Sequence, residues 1–302
     1  MREKDPAVPL LTIFTAPKPF TDPQIALIQR NAIQSWMHLG QGVEVILVGD
    51  EAGMSEVAEA YGVTHLPDVE CNEWGTPLVS SIFSLARQAS ESPLLAYVNA
   101  DILLMPDFLE VSQQVAAEAE AFLVVGRRWD LDVTRSLNFD GDWAGRLRAE
   151  VLGRGKLHRP AGSDYFIFPR SVFVEMPPFA IGRAGWDNWT IYHALKRNWL
   201  VVDATASLMV VHQNHDYSHL PGGKPHYDLE ETRINAALGG GMANMYMTLD
   251  ASHEFINGSI RRPRLTLPRL LRILERWFRP QEESGLRWKI ARRFRRWRRK
   301  IK

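Results

Sequence analysis

The sequence predicts an α/β protein: a mixed, mainly parallel sheet flanked by helices, with amphipathic helices added at the C-terminus. Three observations carry this. Short apolar runs rich in β-branched residues alternate with amphipathic stretches through the first half, the pattern of βα units. The 302 residues, 45% hydrophobic and 24% charged, suffice for a sizeable core. Composition shifts sharply after Ile260, which divides the chain into a body of residues 1–260 and a basic tail of residues 261–302.

In order, LLTIFTA (10–16) reads as the first strand, PQIALIQRNAIQSWMHL (23–39) as a helix and VEVILVGD (43–50) as the second strand. Helices are expected over 55–62 and 77–90. The apolar run LLAYVNADILLM (94–105) reads as one strand, followed by a helix over 107–121 with Pro106 at its start and by the strand AFLVVGRR (121–128). The second half is less regular. SDYFIFPRSVF (163–173) and LVVDATASLMVVH (200–212) read as strands and DNWTIYHALKRN (187–198) as a helix, while the glycine- and histidine-rich stretch 212–241 reads as a loop.

Several classes are set aside. A single cysteine, Cys71, excludes an intramolecular disulfide framework. No run approaches the roughly 20 apolar residues of a membrane span, and the proline-broken N-terminus does not read as a signal peptide. The net charge of +1 hides an asymmetry. Residues 261–302 hold 17 Lys/Arg against three acids, a balance of +14, which leaves the body at −13. Such a split points to an anionic surface as partner.

Ligands of an open α/β sheet collect outside the carboxyl ends of its strands. The polar residues at those ends are Thr15 to Lys18, Asp50, Asn99, Asp101, Arg127, Arg128 and His212. Strand alternation would place Asn99 and Asp101 on one face, where a carboxylate can hold a divalent ion that also bridges diphosphate oxygens. The alternative is that both merely end the strand.

YVNADILL resembles the D-x-D region of the GT-A class of glycosyltransferases, with Asn99 in place of the first Asp. The likeness runs over about residues 8 to 220. It implies a transferase that moves a sugar from a nucleotide-sugar donor to a hydroxyl acceptor, with Mn²⁺ or Mg²⁺ held by Asp101 and by the late histidine, His212. By the same likeness, Thr15, Ala16, Pro17, Asp50 and Asn99 face the nucleotide, and Arg87 meets donor phosphate or sugar. GSDYFIFPRSVF places Asp164 near the sugar. GRAGWDNWTIYHAL places Asp187 where it can deprotonate the acceptor, its other reading being a helix cap. Trp186 and Trp189 are candidates for a wall against the sugar. Inversion and retention both stay open. His212, His215 and His219 also form H-x-x-H-x-x-x-H, compatible with a zinc hydrolase site; the alternative for His215, His219 and His226 is a polar loop. A nucleotidyltransferase of related fold would need a G-x-G-x-R loop after the first strand, which is not there. A non-catalytic protein docked by its tail is the remaining alternative.

In the tail, Thr266 and Pro268 open a helix whose Leu267, Leu270, Leu271, Leu274, Trp277 and Phe278 share a stripe. Beyond Pro280, Leu286, Ile290, Phe294, Trp297 and Ile301 recur at helical spacing among arginines, with Trp288 nearby. Trp288, Ile290, Phe294, Trp297 and Ile301 are the expected membrane contacts of an interfacial anchor on an anionic leaflet. The ordered apolar face favours this over nucleic acid, whose phosphates need arginine alone. The expected setting is the cytoplasmic face of a membrane, with a glycan or lipid-linked saccharide as acceptor.

Overall fold

A computed structural model describes residues 8–161, 163–215, 229–280 and 284–301. The first half runs β1 (Leu11–Thr15), α1 (Pro23–Met37), β2 (Val43–Val48), α2 (Met54–Tyr61), β3 (Thr64–Leu66), α3 (Val79–Ala89), β4 (Leu94–Val98), β5 (Ile102–Leu103), α4 (Asp107–Glu118), β6 (Phe122–Val125) and β7 (Arg128–Leu131). The second half runs α5 (Trp143–Arg154), β8 (Lys156–Leu157), β9 (Tyr165–Pro169), α6 (Trp186–Lys196), β10 (Leu200–Asp203), β11 (Val210–Gln213), α7 (Glu230–Leu238), β12 (His253–Ile256), β13 (Ser259–Arg261), α8 (Leu267–Phe278) and α9 (Gly285–Lys300).

Among the described residues, the large sheet has nine strands in the order β13-β12-β10-β6-β9-β4-β1-β2-β3. β9 runs antiparallel to both β4 and β6, and β13 antiparallel to β12; the other pairs are parallel. This is the mixed, mainly parallel α/β sheet expected. Two apolar clusters cover its faces. One gathers α1 and α4 residues such as Trp36, Ile33, Phe108 and Val111; the other gathers α3 and α6 residues such as Ile82, Phe83, Trp186 and Ile191. β1 and β4 are buried along their whole length, which explains their unbroken apolar runs.

A second sheet, β5-β11-β7-β8, was not foreseen, and it revises three strand assignments. The run 94–105 is two strands in different sheets, with Asn99, Ala100 and Asp101 in the turn between them, closed by Ile102 N–H donating to the Asn99 carbonyl at 3.1 Å. Asn99 and Asp101 therefore do not share a strand face. The run 121–128 changes sheets at Gly126, where the backbone passes so close to Tyr165 that a Cβ would stand 2.2 Å from its hydroxyl. The run 200–212 changes sheets after Asp203, whose Oδ1 accepts from Thr205 N–H at 3.0 Å to form a side-chain turn. Within the stretch read as a loop, the described residues form the helix α7.

Helix α1 starts at Asp22, whose Oδ1 accepts from the N–H groups of Gln24 and Ile25 at 2.9 Å, with Pro23 in the first turn. It buries Ile28, Ala32 and Trp36, and the Trp36 indole donates to the Ile102 carbonyl at 2.9 Å. The helix thus holds the turn that carries Asp101.

The tail is a helical hairpin. Arg272 of α8 donates to both oxygens of Asp250, at 2.7 to 3.1 Å, and to the Met245 carbonyl, and Arg298 of α9 pairs with Glu275 at 2.9 Å. Within the hairpin Phe278 stacks on Phe294. Trp288 lies off the apolar stripe of α9, under the Arg292 guanidinium 4.4 Å from its ring centroid.

Candidate functional site

The β4–β5 turn supplies Asp101, strand β7 supplies Arg128 and Asp130, and its neighbour β11 supplies His212 with His215 just beyond it. His215 Nε2 lies 3.1 Å from Asp101 Oδ2, and His212 Nε2 lies 3.5 Å from the same oxygen. One ligand atom from each of the three residues falls within 4.8 Å of the others. Asp101 Oδ1 is buried with no hydrogen-bond partner among the described residues. Such an orphan atom in a charged group is costly unless a cation completes it.

The electrostatics agree with an ionised Asp101. Burial alone would raise its pKa, yet the charges and hydrogen bonds of His212 and His215 hold it well below the usual carboxylate range. Burial conversely would lower His212, but Asp101 wins and raises it. The donor set of one carboxylate and two imidazoles, with an open carboxylate oxygen, fits a divalent metal. Imidazole nitrogen suits Mn²⁺ better than the strictly oxygen-seeking Mg²⁺.

Buried Gln213 locks this cluster in place. Its backbone N–H and side-chain amide both donate to the Asp101 carbonyl, at 3.1 and 3.2 Å, and the amide also reaches the Ile28 carbonyl of α1 at 2.7 Å. Asp130 Oδ1 approaches His212 Nδ1 at 3.6 Å while its Oδ2 meets His158 Nδ1 at 2.7 Å. Carboxylates behind ligating imidazoles orient the ring.

Asp164 lies beside this cluster because β9 pairs with β4, with Tyr165 opposite Val98. Its Oδ1 accepts from Arg128 at 2.6 Å and from the Asn99 amide at 3.0 Å. Arg128 spans Asp164 and Asp130, so it neutralises two of the carboxylates around the site.

Asp187 occupies the first turn of α6, one residue inside its start; the cap position belongs to Gly185, so the helix-cap reading is replaced. Its Oδ1 accepts from Gly185 N–H at 3.3 Å. Burial, with the charge of Asp164 in support, pushes its carboxyl up to about 6 against the pull of the backbone N–H groups of Asn188 and Gly185. A carboxylate poised there is ionised at neutral pH and still basic enough to accept a proton.

Other expected residues are placed differently. Arg87 spends its guanidinium on the carbonyls of Arg170, Val172 and Phe173, which pins the segment after β9 and leaves it structural rather than donor-facing. Trp186 and Trp189 are 5% and 8% exposed: the first packs on Tyr97 and Phe166, the second on Phe179 and His193, so neither offers a face to a sugar. In the β1–α1 loop Thr15 and Pro17 are buried, whereas Ala16 and Lys18 are half-buried. Burial lowers the Lys18 pKa against the attraction of Asp101. Asp50 is exposed at the end of β2. His219 and His226 lie outside the described residues.

Asp130, His158 and Gln213 were not singled out in the sequence. Asp130 sits in the alternation Trp129-Asp130-Leu131-Asp132, whose inward and outward faces cannot be told apart without the second sheet. The His212-x-x-His215 spacing was the one local signal for His215.

No protein-family model matches the chain, and no curated protein matches it. Among solved structures it is similar to TarS residues 1–349 from S. aureus in complex with UDP-GlcNAc, at 12% identity and TM-score 0.48, covering 93% of this chain and 79% of that one. It is similar also to glucosyl-3-phosphoglycerate synthase from Mycobacterium tuberculosis in complex with Mn²⁺, UDP and phosphoglyceric acid, at 14% identity and TM-score 0.48, covering 86% and 87%. The phosphoglyceric acid complex of the same synthase gives 15% identity, TM-score 0.48 and coverage of 79% and 80%.

Proposed function

We propose that the chain is a metal-dependent glycosyltransferase that moves a sugar from a nucleotide-sugar donor to a hydroxyl of a glycan or lipid-linked saccharide at a membrane face. The observation that carries this is Asp101: a buried, ionised carboxylate with one unpartnered oxygen, met by His212 and His215 where the parallel strands end. Asp101, His212 and His215 would hold the cation, and their donor set suits Mn²⁺. When bound, it supplies positive charge to neutralise a leaving nucleoside diphosphate.

The chain's own residues do the rest. Ala16, Lys18 and Asp50, at the ends of β1 and β2, border the cleft on the donor side. Gln213 keeps the Asp101 carbonyl fixed and Asn214 Oδ1 meets the His212 Nδ1 at 3.4 Å, so the site is organised before substrate arrives. Arg128 holds Asp164 and, through it, Asn99. Asp187 accepts the proton of the acceptor hydroxyl, and its raised pKa lets it do so at neutral pH. Two imidazoles and a carboxylate also suit zinc-assisted hydrolysis, and the two readings differ in their need for nucleotide.

Thermal unfolding with nucleoside diphosphates and nucleotide sugars, with and without Mn²⁺, tests the proposal. Stabilisation is expected only when metal and nucleotide are both present, and Asp101→Ala should remove it. A metal response that no nucleotide enhances, joined to hydrolytic activity, would transfer the site to the zinc reading.

A further inference from the structure

Helix α8 is built inside out. At about 100° per residue, Arg269, Arg272, Glu275 and Arg276 share the side turned towards the body and α9. There Arg272, with 2% of its side chain exposed, grips Asp250; Arg276 reaches Asp250 at 3.2 Å and the Tyr246 hydroxyl at 2.6 Å. The opposite arc carries Leu267, Leu270, Ile273 and Trp277, which are 58%, 39%, 49% and 71% exposed. Leu271 is buried and Phe278 packs on Phe294, but ion pairs to Asp250 hold the helix to the body while four apolar side chains stand in solvent, unlike the ordinary surface helix.

The apolar face continues onto α9. The Phe278–Phe294 stack, with centroids 5.8 Å apart, joins the helices, and beyond it Leu286 and Trp297 are 73% and 44% exposed. On the far edge of the α9 stripe stand the exposed Lys289, Arg293, Arg296 and Lys300, with Arg293 over the Trp297 ring at 4.9 Å.

We infer that the α8–α9 hairpin docks on an anionic lipid bilayer, with the α8 stripe as its main inserted surface and the basic edge of α9 against the headgroups. Charge complementarity selects this occupant. A second copy laid face to face would bring one basic edge against another, and a nucleic acid would leave the apolar stripe in water. The inference deepens the membrane-face part of the proposed function and rests on it, while the donor chemistry is independent of it.

The test is flotation of the full chain with phosphatidylcholine vesicles, with or without about one third phosphatidylglycerol. Binding should be about tenfold stronger to the anionic vesicles and weaken in high salt. Ile273→Glu and Trp277→Glu should each cut it about tenfold, and Arg293→Glu with Arg296→Glu several-fold with a flatter salt dependence. As these side chains are exposed, thermal unfolding and the Mn²⁺-linked response to UDP should stay as in the parent chain. Failure to float with anionic vesicles overturns docking, as does unchanged flotation of both α8 variants. A concentration-dependent dimer that Trp277→Glu abolishes would assign the face to a second copy. Loss of the UDP response in a chain that still floats would overturn the transferase reading alone.

Discussion

Asp187, the proposed base, is held in a state that costs the fold stability at neutral pH. Its carboxyl titrates near 6 in the folded protein against an ordinary value of 3.8, so the folded state holds the proton more tightly than the unfolded chain. The resulting penalty is absent below about pH 4, grows as pH rises through about 6, and levels off above it. A shift of about two units corresponds to roughly 3 kcal/mol. Asp187→Asn should therefore raise the unfolding free energy at pH 7.5 by up to about 3 kcal/mol and leave it unchanged near pH 4, as denaturant titrations at the two pH values will show. The same variant should lower kcat at least about a hundredfold while the Mn²⁺-linked affinity for UDP persists. If Asp187 is the base of the proposed transfer, kcat/KM of the parent chain should climb about tenfold per pH unit below about 6 and flatten above it, because only the ionised carboxylate accepts a proton. At this scale Asp101 and His212 were legible because a carboxylate or a histidine closing an apolar run is conspicuous. The tryptophans misled because an aromatic residue beside a polar one looks the same in sequence whether it faces a cleft or fills the core.

Elements were legible where one period and one burial pattern run without interruption, as in α1, β1 and β2. They were not legible where a run changes sheets, since β4 and β5 are both buried and their residues form one apolar string. The breakpoints carry the information instead: Asn99 to Asp101, Gly126, and the Asp203 turn. Gly126→Ala should cost about 1–3 kcal/mol by pressing a methyl group on the Tyr165 hydroxyl. Because that hydroxyl is buried without a partner, Tyr165→Phe alone should be near neutral and should recover much of the loss in the double variant. Equilibrium unfolding of the four proteins of this cycle measures the coupling. For α8 the periodicity correctly marked an apolar stripe but could not say that only Leu271, Leu274 and Phe278 of it are covered while the charged face holds Asp250. Arg272→Ala would leave buried Asp250 facing a cavity and weaken Glu275's surroundings, a loss of about 3–5 kcal/mol in chemical denaturation.

At the scale of the whole molecule, the charge split of −13 and +14 proved to be partly internal, because tail arginines hold acids of the body and of the hairpin itself. Deleting residues 285–302 takes Arg298 from Glu275 and uncovers Phe278, so a thermal scan of the shortened chain should show a midpoint lower by roughly 2–4 °C for each kcal/mol lost. The hairpin is also joined to the site. Arg272 holds the Met245 carbonyl and Asp250, and within that segment the Tyr246 backbone exchanges hydrogen bonds with Asn188, the neighbour of Asp187: Tyr246 N–H donates to the Asn188 carbonyl at 3.2 Å and the Asn188 amide to the Tyr246 carbonyl at 2.6 Å. On the docking inferred above, this short relay would carry the position of α8 to the turn that holds Asp187.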